Sequence, residues 1–256
     1  MNLRQVEQYL ARIHWRGPVQ ITPETLRGLH LAHLRSVPFE NLSIHLGEPI
    51  RLDIDGLFDK IVARRRGGFC YEANGLFCAL LNQLGFSASM LSAQVARSDG
   101  GYSPPYDHMV LLVQLANPWL VDVGFGDSFR LPLKLHEPGV QPESGRSYLL
   151  EPHGHGYLLK QNILDRGWEA QFKFALEPHP LRDFEDMCQF HQTSPTSHFR
   201  KSKLATLATE DGRITLSGMK LIRSGLDGSR SEVLLSNEHD YSAALAREFD
   251  IDLARR

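Results

Sequence analysis

The chain has 256 residues, 42% of them apolar and 23% charged, and a formal net charge of −2. Such a length can bury a sizeable core, the composition is ordinary for a globular protein, and the near-neutral charge offers no electrostatic case for nucleic acid. No apolar run approaches the roughly 20 residues of a membrane span, and Met1-Asn2-Leu3-Arg4-Gln5 lacks the apolar core of a secretory signal, so a cytoplasmic protein with no membrane partner is expected.

The first third of the chain reads as helical. Leu3, Val6, Tyr9, Leu10 and Ile13 form one amphipathic stripe. Thr22-Pro23 caps a second helix carrying Leu26, Leu29 and His33. Asp55 is placed to start a third helix running through Ile61-Val62. Leu76, Phe77, Leu80, Leu81 and Leu84 then recur at helical spacing, and Gly85 closes that run. Beyond Gly85 the pattern turns to short strands punctuated by glycine and proline, through about Phe199. Ser98 to Pro105 is a loop, either bordering a site at His108 or lying plainly on the surface. The last segment holds two or three strands, broken at Glu210-Asp211-Gly212-Arg213 and Leu226-Asp227-Gly228-Ser229, and a short helix near Ser242 to Phe249. Helices first, strands next and a mixed tail predict an α+β fold.

The segment Arg65-Arg66-Gly67-Gly68-Phe69-Cys70-Tyr71-Glu72-Ala73-Asn74 carries the strongest chemical signal. Cys70 follows a double glycine at the predicted start of a helix, where free N–H groups and the macrodipole favour a thiolate. The competing reading is a small buried residue starting a core helix. Asp107 to Val113 reads as a buried strand with His108 at its entry, and Trp119 to Gly126 as a second strand with Asp122 in an apolar run. A thiol, an imidazole and a carboxylate suit a catalytic triad. The alternatives are a strand-end histidine without chemistry and a carboxylate satisfied by backbone N–H groups. A hairpin turn centred on Asn117 would set His108 opposite Gly126 and Asp122 opposite Leu112. The two would then share a sheet face yet meet only through a bulge, a bend or a different register.

Five segments, taken in order, resemble the arylamine N-acetyltransferase family. They are Val37-Pro38-Phe39-Glu40-Asn41-Leu42, Arg66 to Asn74, Asp107-His108 with its strand, Val121-Asp122-Val123-Gly124-Phe125-Gly126, and Ser194-Pro195-Thr196-Ser197-His198-Phe199. The resemblance implies Cys70 as acyl-thioester nucleophile, His108 as base and Asp122 as its orienter. It implies Phe39, Phe125 and Gly126 near the acceptor. It sharpens the fold to an N-terminal helical bundle (1–85), a central antiparallel β-barrel (86–199) and a small C-terminal α/β lid (200–256), around a core like that of cysteine proteases. Acetyl-CoA is implied as cosubstrate, aromatic amines or hydrazines as acceptors, and no permanently bound cofactor. Gln189 stands where many relatives carry asparagine. The chain ends at Arg256, earlier than many bacterial relatives, which implies a shortened lid.

Other features are weighed beside these. Glu40 is either a solvated acid or a brace paired with Arg65 or Arg66. Arg64-Arg65-Arg66 either attracts coenzyme phosphates or, as is commoner, compensates a helix end. His153-Gly154-His155 has metal-binding spacing but no acid or cysteine nearby, so no metal site is expected. Gly124-Phe125-Gly126 is not a dinucleotide fingerprint. The three cysteines form no disulfide framework; Cys78 and Cys188 are expected as packing residues. The rival functions are a peptidase or transglutaminase-like enzyme with the same triad, and a module that binds aromatic ligands without turnover.

Overall fold

The computed structural model describes residues 1–254. Its helices and strands follow the sequence periodicity through most of the chain. Helix α1 (Leu3–Arg12) is capped by Asn2, whose side chain accepts from the Gln5 N–H, and α2 (Pro23–Ser36) by Thr22 in the same way toward Thr25. A two-residue strand β1 (Phe39–Glu40) and a short α3 (Leu42–Leu46) follow. Helix α4 (Ile54–Phe58) is capped by Asp53, two residues ahead of the expected start, and continues as a π-helical turn over Asp59–Ala63. Helix α5 (Cys70–Gln83) begins at the cysteine itself. Leu76, Phe77, Leu80 and Leu81 on α5 are fully buried, each worth about 1.5–3 kcal/mol. Gly85 takes a positive φ of 94° just beyond it, as helix exits favour.

The central sheet has eight antiparallel strands. These are β2 (Ser87–Val95), β3 (His108–Gln114), β4 (Pro118–Val121), β5 (Leu133–Lys134), β6 (Gln141–Glu143), β7 (Arg146–His153), β8 (Gly156–Ile163) and β9 (Trp168–His179), in the order β5-β4-β3-β2-β9-β8-β7-β6. The two edges meet through one side chain. Gln141 on β6 accepts from the Lys134 N–H at 2.8 Å and donates to the Lys134 carbonyl at 2.9 Å, so the sheet curls into a near-closed barrel. Strand β3 is buried on both faces. Leu111 and Val113 pack with α5, while Val110 and Leu112 fill the barrel. That accounts for its unbroken apolar run.

The stretch expected to stay in strands through Phe199 does not do so. After a 3-10 turn at Leu181–Phe184 the chain forms helix α6 (Glu185–Thr193). Phe184, Cys188 and His191 are buried at helical spacing, a signal diluted by the polar residues between them. The C-terminal sheet has four strands of its own: β10 (Leu204–Ala208), β11 (Gly212–Ser217), β12 (Lys220–Gly225) and β13 (Arg230–Leu234). The break missed in sequence is the tight turn at Gly218, whose φ is 54°. Helix α7 (Glu238–Phe249) covers this sheet with Tyr241, Ala244, Leu245 and Phe249. The sheet takes its fifth strand from far upstream: β1 pairs with β10, Phe39 opposite Thr206. Phe39 also bridges Gly68 in the loop before Cys70. The whole is an α+β fold of helices, an antiparallel barrel and a C-terminal α/β unit. Among the described residues, no helix is long and apolar enough to cross a membrane.

Candidate active site

Cys70 stands at the first position of α5, presented by a loop whose two glycines leave no room for a side chain. A Cβ on Gly67 would collide with the carbonyl of Pro38, and one on Gly68 would lie 2.7 Å from Cβ of Glu72. Beneath this loop four charges are buried together. Lys60 lies 2.7 Å from Glu72, Arg66 lies 2.9 Å from Glu40, and Lys60 lies 3.9 Å from Glu40. None of the four residues exceeds 5% exposure, and buried charges persist only when so paired. Burial works against the charged form of Glu40, but Lys60 and Arg66 outweigh it and hold its carboxyl below the ordinary range. The cluster anchors the helix start directly, because Glu72 accepts the Phe69 N–H at 3.1 Å. Glu40 is thus a brace, and Arg66 is its partner. Arg65 instead pairs with Asp250, and Arg64 with Asp59 at 3.1 Å. The arginine run is consumed by internal ion pairs rather than presented as a phosphate site.

His108 and Asp122 meet at Nε2 to Oδ2, 2.7 Å apart. The hairpin register explains how. Leu112 pairs with Leu120 and Leu111 with Val121, so the turn centres on Ala116, one residue before the expected Asn117. Counting on, Asp122 falls opposite Val110, two places from His108 rather than four. Diagonal neighbours on one face are within side-chain reach. The different register, rather than a bulge, brings the pair together. Asp122 is 2% exposed and its second oxygen is also satisfied, by Asn74 Nδ2 at 2.9 Å and the Gly124 N–H at 2.8 Å.

Asn74 and His30 hold Asp122 in place, and neither role was read from the sequence. Asn74 lies one helical turn below Cys70, on the same face. Besides Asp122 it donates to the Met109 carbonyl at 2.7 Å and accepts from the Val123 N–H at 2.9 Å. A single amide therefore ties α5, β3 and the segment after β4. His30 on α2 contacts the Asp122 carbonyl at 3.0 Å and the Arg130 carbonyl at 2.8 Å. Gly124 completes the junction: a Cβ there would lie 2.7 Å from Cα of Cys70.

The pocket above Cys70 has a volume of about 230 Å³. Phe39, Cys70, His108 and Phe125 line it, as do Val95, Asp107, Gly124, His198, Phe199 and Leu204. Asp122 stands behind His108, outside the lining. Gly126, at a φ of 91°, packs against the Phe39 ring instead of forming the wall. Phe125 meets the His108 ring edge-on at 5.1 Å, and Phe172 flanks it at 5.4 Å. Since Nε2 faces Asp122, Nδ1 is the ring nitrogen turned away from that pair.

The expected activation of Cys70 by its helix terminus is not the dominant influence. Burial pushes the thiol well above its ordinary range, Asp107 adds to this, and the Met109 N–H pulls only partly back. A thiolate there would require a nearby base to take its proton. Cys78 and Cys188 are free and buried. His153 and His155 sit exposed at the β7–β8 turn, and no group of three metal-ligating side chains forms among the described residues.

Residues 22–256 match the family model described as N-acetyltransferase. An arylamine N-acetyltransferase of Mycolicibacterium smegmatis is 36% identical over 255 residues, covering 96% of this chain and 91% of the relative. The structure of the arylamine N-acetyltransferase from Salmonella typhimurium superposes with a TM-score of 0.92 at 30% identity, over 99% of this chain and 94% of that one. That of the Mycobacterium marinum enzyme in complex with CoA gives 0.90 at 34% identity, over 97% and 93%.

Proposed function

The chain belongs to the arylamine N-acetyltransferase family and is an acyltransferase, and from that premise we propose that it moves an acetyl group from acetyl-CoA to an aromatic amine or hydrazine through an acetyl-Cys70 intermediate. The observation that carries this reading is the 2.7 Å His108–Asp122 pair behind a pocket that His108 shares with Cys70. His108 Nδ1 takes the Cys70 proton as the sulfur attacks the thioester carbonyl. The tetrahedral intermediate collapses, the C–S bond to CoA breaks, and His108 returns the proton to the departing thiolate. CoA leaves before the acceptor binds, so ping-pong kinetics follow. The neutral amine then attacks acetyl-Cys70, His108 removes its proton, and Cys70 is released with the proton restored. Asp122 fixes the imidazole tautomer and supports the transient imidazolium. Backbone N–H groups in the first turn of α5 serve the tetrahedral oxyanion.

Two observations favour small acceptors over a polypeptide. The pocket holds about 230 Å³, too little for chain on both sides of a scissile bond, and Phe39, Phe125 and Phe199 give it aromatic walls. The CoA complex of the Mycobacterium marinum relative supports acetyl-CoA as donor.

Intact-protein mass spectrometry after brief mixing with acetyl-CoA tests the reading. One acetyl group is expected on the wild type, none on Cys70→Ala, and its discharge on adding an arylamine. No acetylation of folded protein with a free Cys70 would sink the proposal. Acetylation that no amine discharges would keep the nucleophile and remove the acceptor class.

A further inference from the structure

We propose that Asp107 sets the charge selectivity of the acceptor pocket, admitting uncharged or cationic aromatic amines and hydrazines and rejecting those that carry a carboxylate. This deepens the acetyl transfer proposed above and rests on it.

Asp107 lines the same pocket as Cys70 and His108, and its side chain is 13% exposed. It is held rigidly. The Tyr71 hydroxyl lies 2.7 Å from the Tyr106 carbonyl and 3.1 Å from that of Asp107, pinning the backbone on either side of that peptide. From α6, His191 Nε2 comes within 3.2 Å of Asp107 Oδ1, off the line of an ideal hydrogen bond.

The surroundings of this carboxyl favour its charged form. Behind it, Ser197 Oγ accepts the Phe199 N–H at 3.3 Å and lies 3.3 Å from His191 Nδ1, which fixes the His191 ring against Asp107. Burial works against ionisation, but His191 and Ser103 outweigh it and hold the Asp107 carboxyl below its ordinary range.

The lining of the pocket supplies no permanent positive charge beside Asp107. Among the described residues that line it there is no lysine or arginine; the remaining polar side chains are Cys70, His108 and His198. The other walls are chiefly aromatic and aliphatic. A like charge brought beside a carboxylate in such surroundings is disfavoured, and the site discriminates by repulsion.

The test compares 4-aminobenzoate with its methyl ester as acceptors for wild type and Asp107→Asn. Both acceptors draw on the same acetyl-enzyme, so any effect on the first half-reaction cancels in the ratio of their kcat/KM values. The ester's nitrogen is the weaker nucleophile, yet the wild type is expected to favour the ester about tenfold or more, the ratio one unfavourable charge contact commands. Asp107→Asn keeps the side-chain size and is expected to narrow that ratio about tenfold. Equal use of both acceptors by the wild type overturns the proposal, whatever the variant does. A ratio unchanged in folded Asp107→Asn overturns it too. Failure to form acetyl-Cys70 in the wild type is a separate result, which removes the acetyl transfer and this selectivity with it.

Discussion

Asp122 is buried with every oxygen occupied, and this decides how the His108 ring sits. One oxygen faces the imidazole; the other is tied down by Asn74 and by the backbone two residues on. A buried carboxylate with fewer partners would turn toward whichever donor remained. Asn74→Ala is therefore expected to lower the rate of Cys70 acetylation on the order of 100-fold through misplacement of the His108–Asp122 pair. Far-UV circular dichroism should stay that of the wild type, and stopped-flow release of CoA reads the rate. An unchanged rate in the folded variant would show that Asp122 needs no such anchor. Cys70, His108 and Asp122 were legible as residues, because a thiol after two glycines and a lone acid in an apolar strand are conspicuous. Asn74 and His30 were not. Their roles depend on partners 48 and 92 positions away, which no local pattern reports.

Whole elements were more legible than their joints. Thr22-Pro23 and Gly85 marked the ends of α2 and α5 because caps are local chemistry. Helix α6 was hidden because Phe184, Cys188 and His191 are a sparse apolar face among charges. The β3–β4 register was missed by one turn position, which antiparallel pairing doubles into a two-residue offset between partners. The joint between α5 and the segment after β4 is the tightest of all. Gly124→Ala would push a methyl group to 2.7 Å from Cα of Cys70, with backbone rather than a flexible side chain in the way. Such overpacking costs about 1–3 kcal/mol. The expected outcome is a lower urea midpoint together with loss of Cys70 acetylation, as the helix start is displaced from His108. A variant with wild-type midpoint and labelling would show that the junction has slack.

At the scale of the molecule, acid stability depends on histidines that the fold keeps neutral. Burial brings His30 down to about 4 from an ordinary 6.5. Between those values the unfolded chain binds more protons than the folded one, so stability rises with pH across this window. The contribution, about 3 kcal/mol, is fully present above about pH 6.5 and lost as the pH falls to about 4. His33, lowered by burial in the same direction, adds to the slope. Urea unfolding at several pH values between 4 and 7 should show His30→Gln losing less stability on acidification than the wild type, with His33 carrying what remains. Identical slopes would exclude His30 as a source.

The pairing of β1 with β10 reaches beyond stability into the order of synthesis. Cys70 leaves the ribosome early, but its pocket is walled by His198, Phe199 and Leu204, and the loop before it is tied through Phe39 to a strand that begins at Leu204. A nascent chain thus carries the thiol for most of its translation without the walls that later close over it. The finished pocket is a property of nearly the whole chain, and a product cut short before His198 lacks three of its walls.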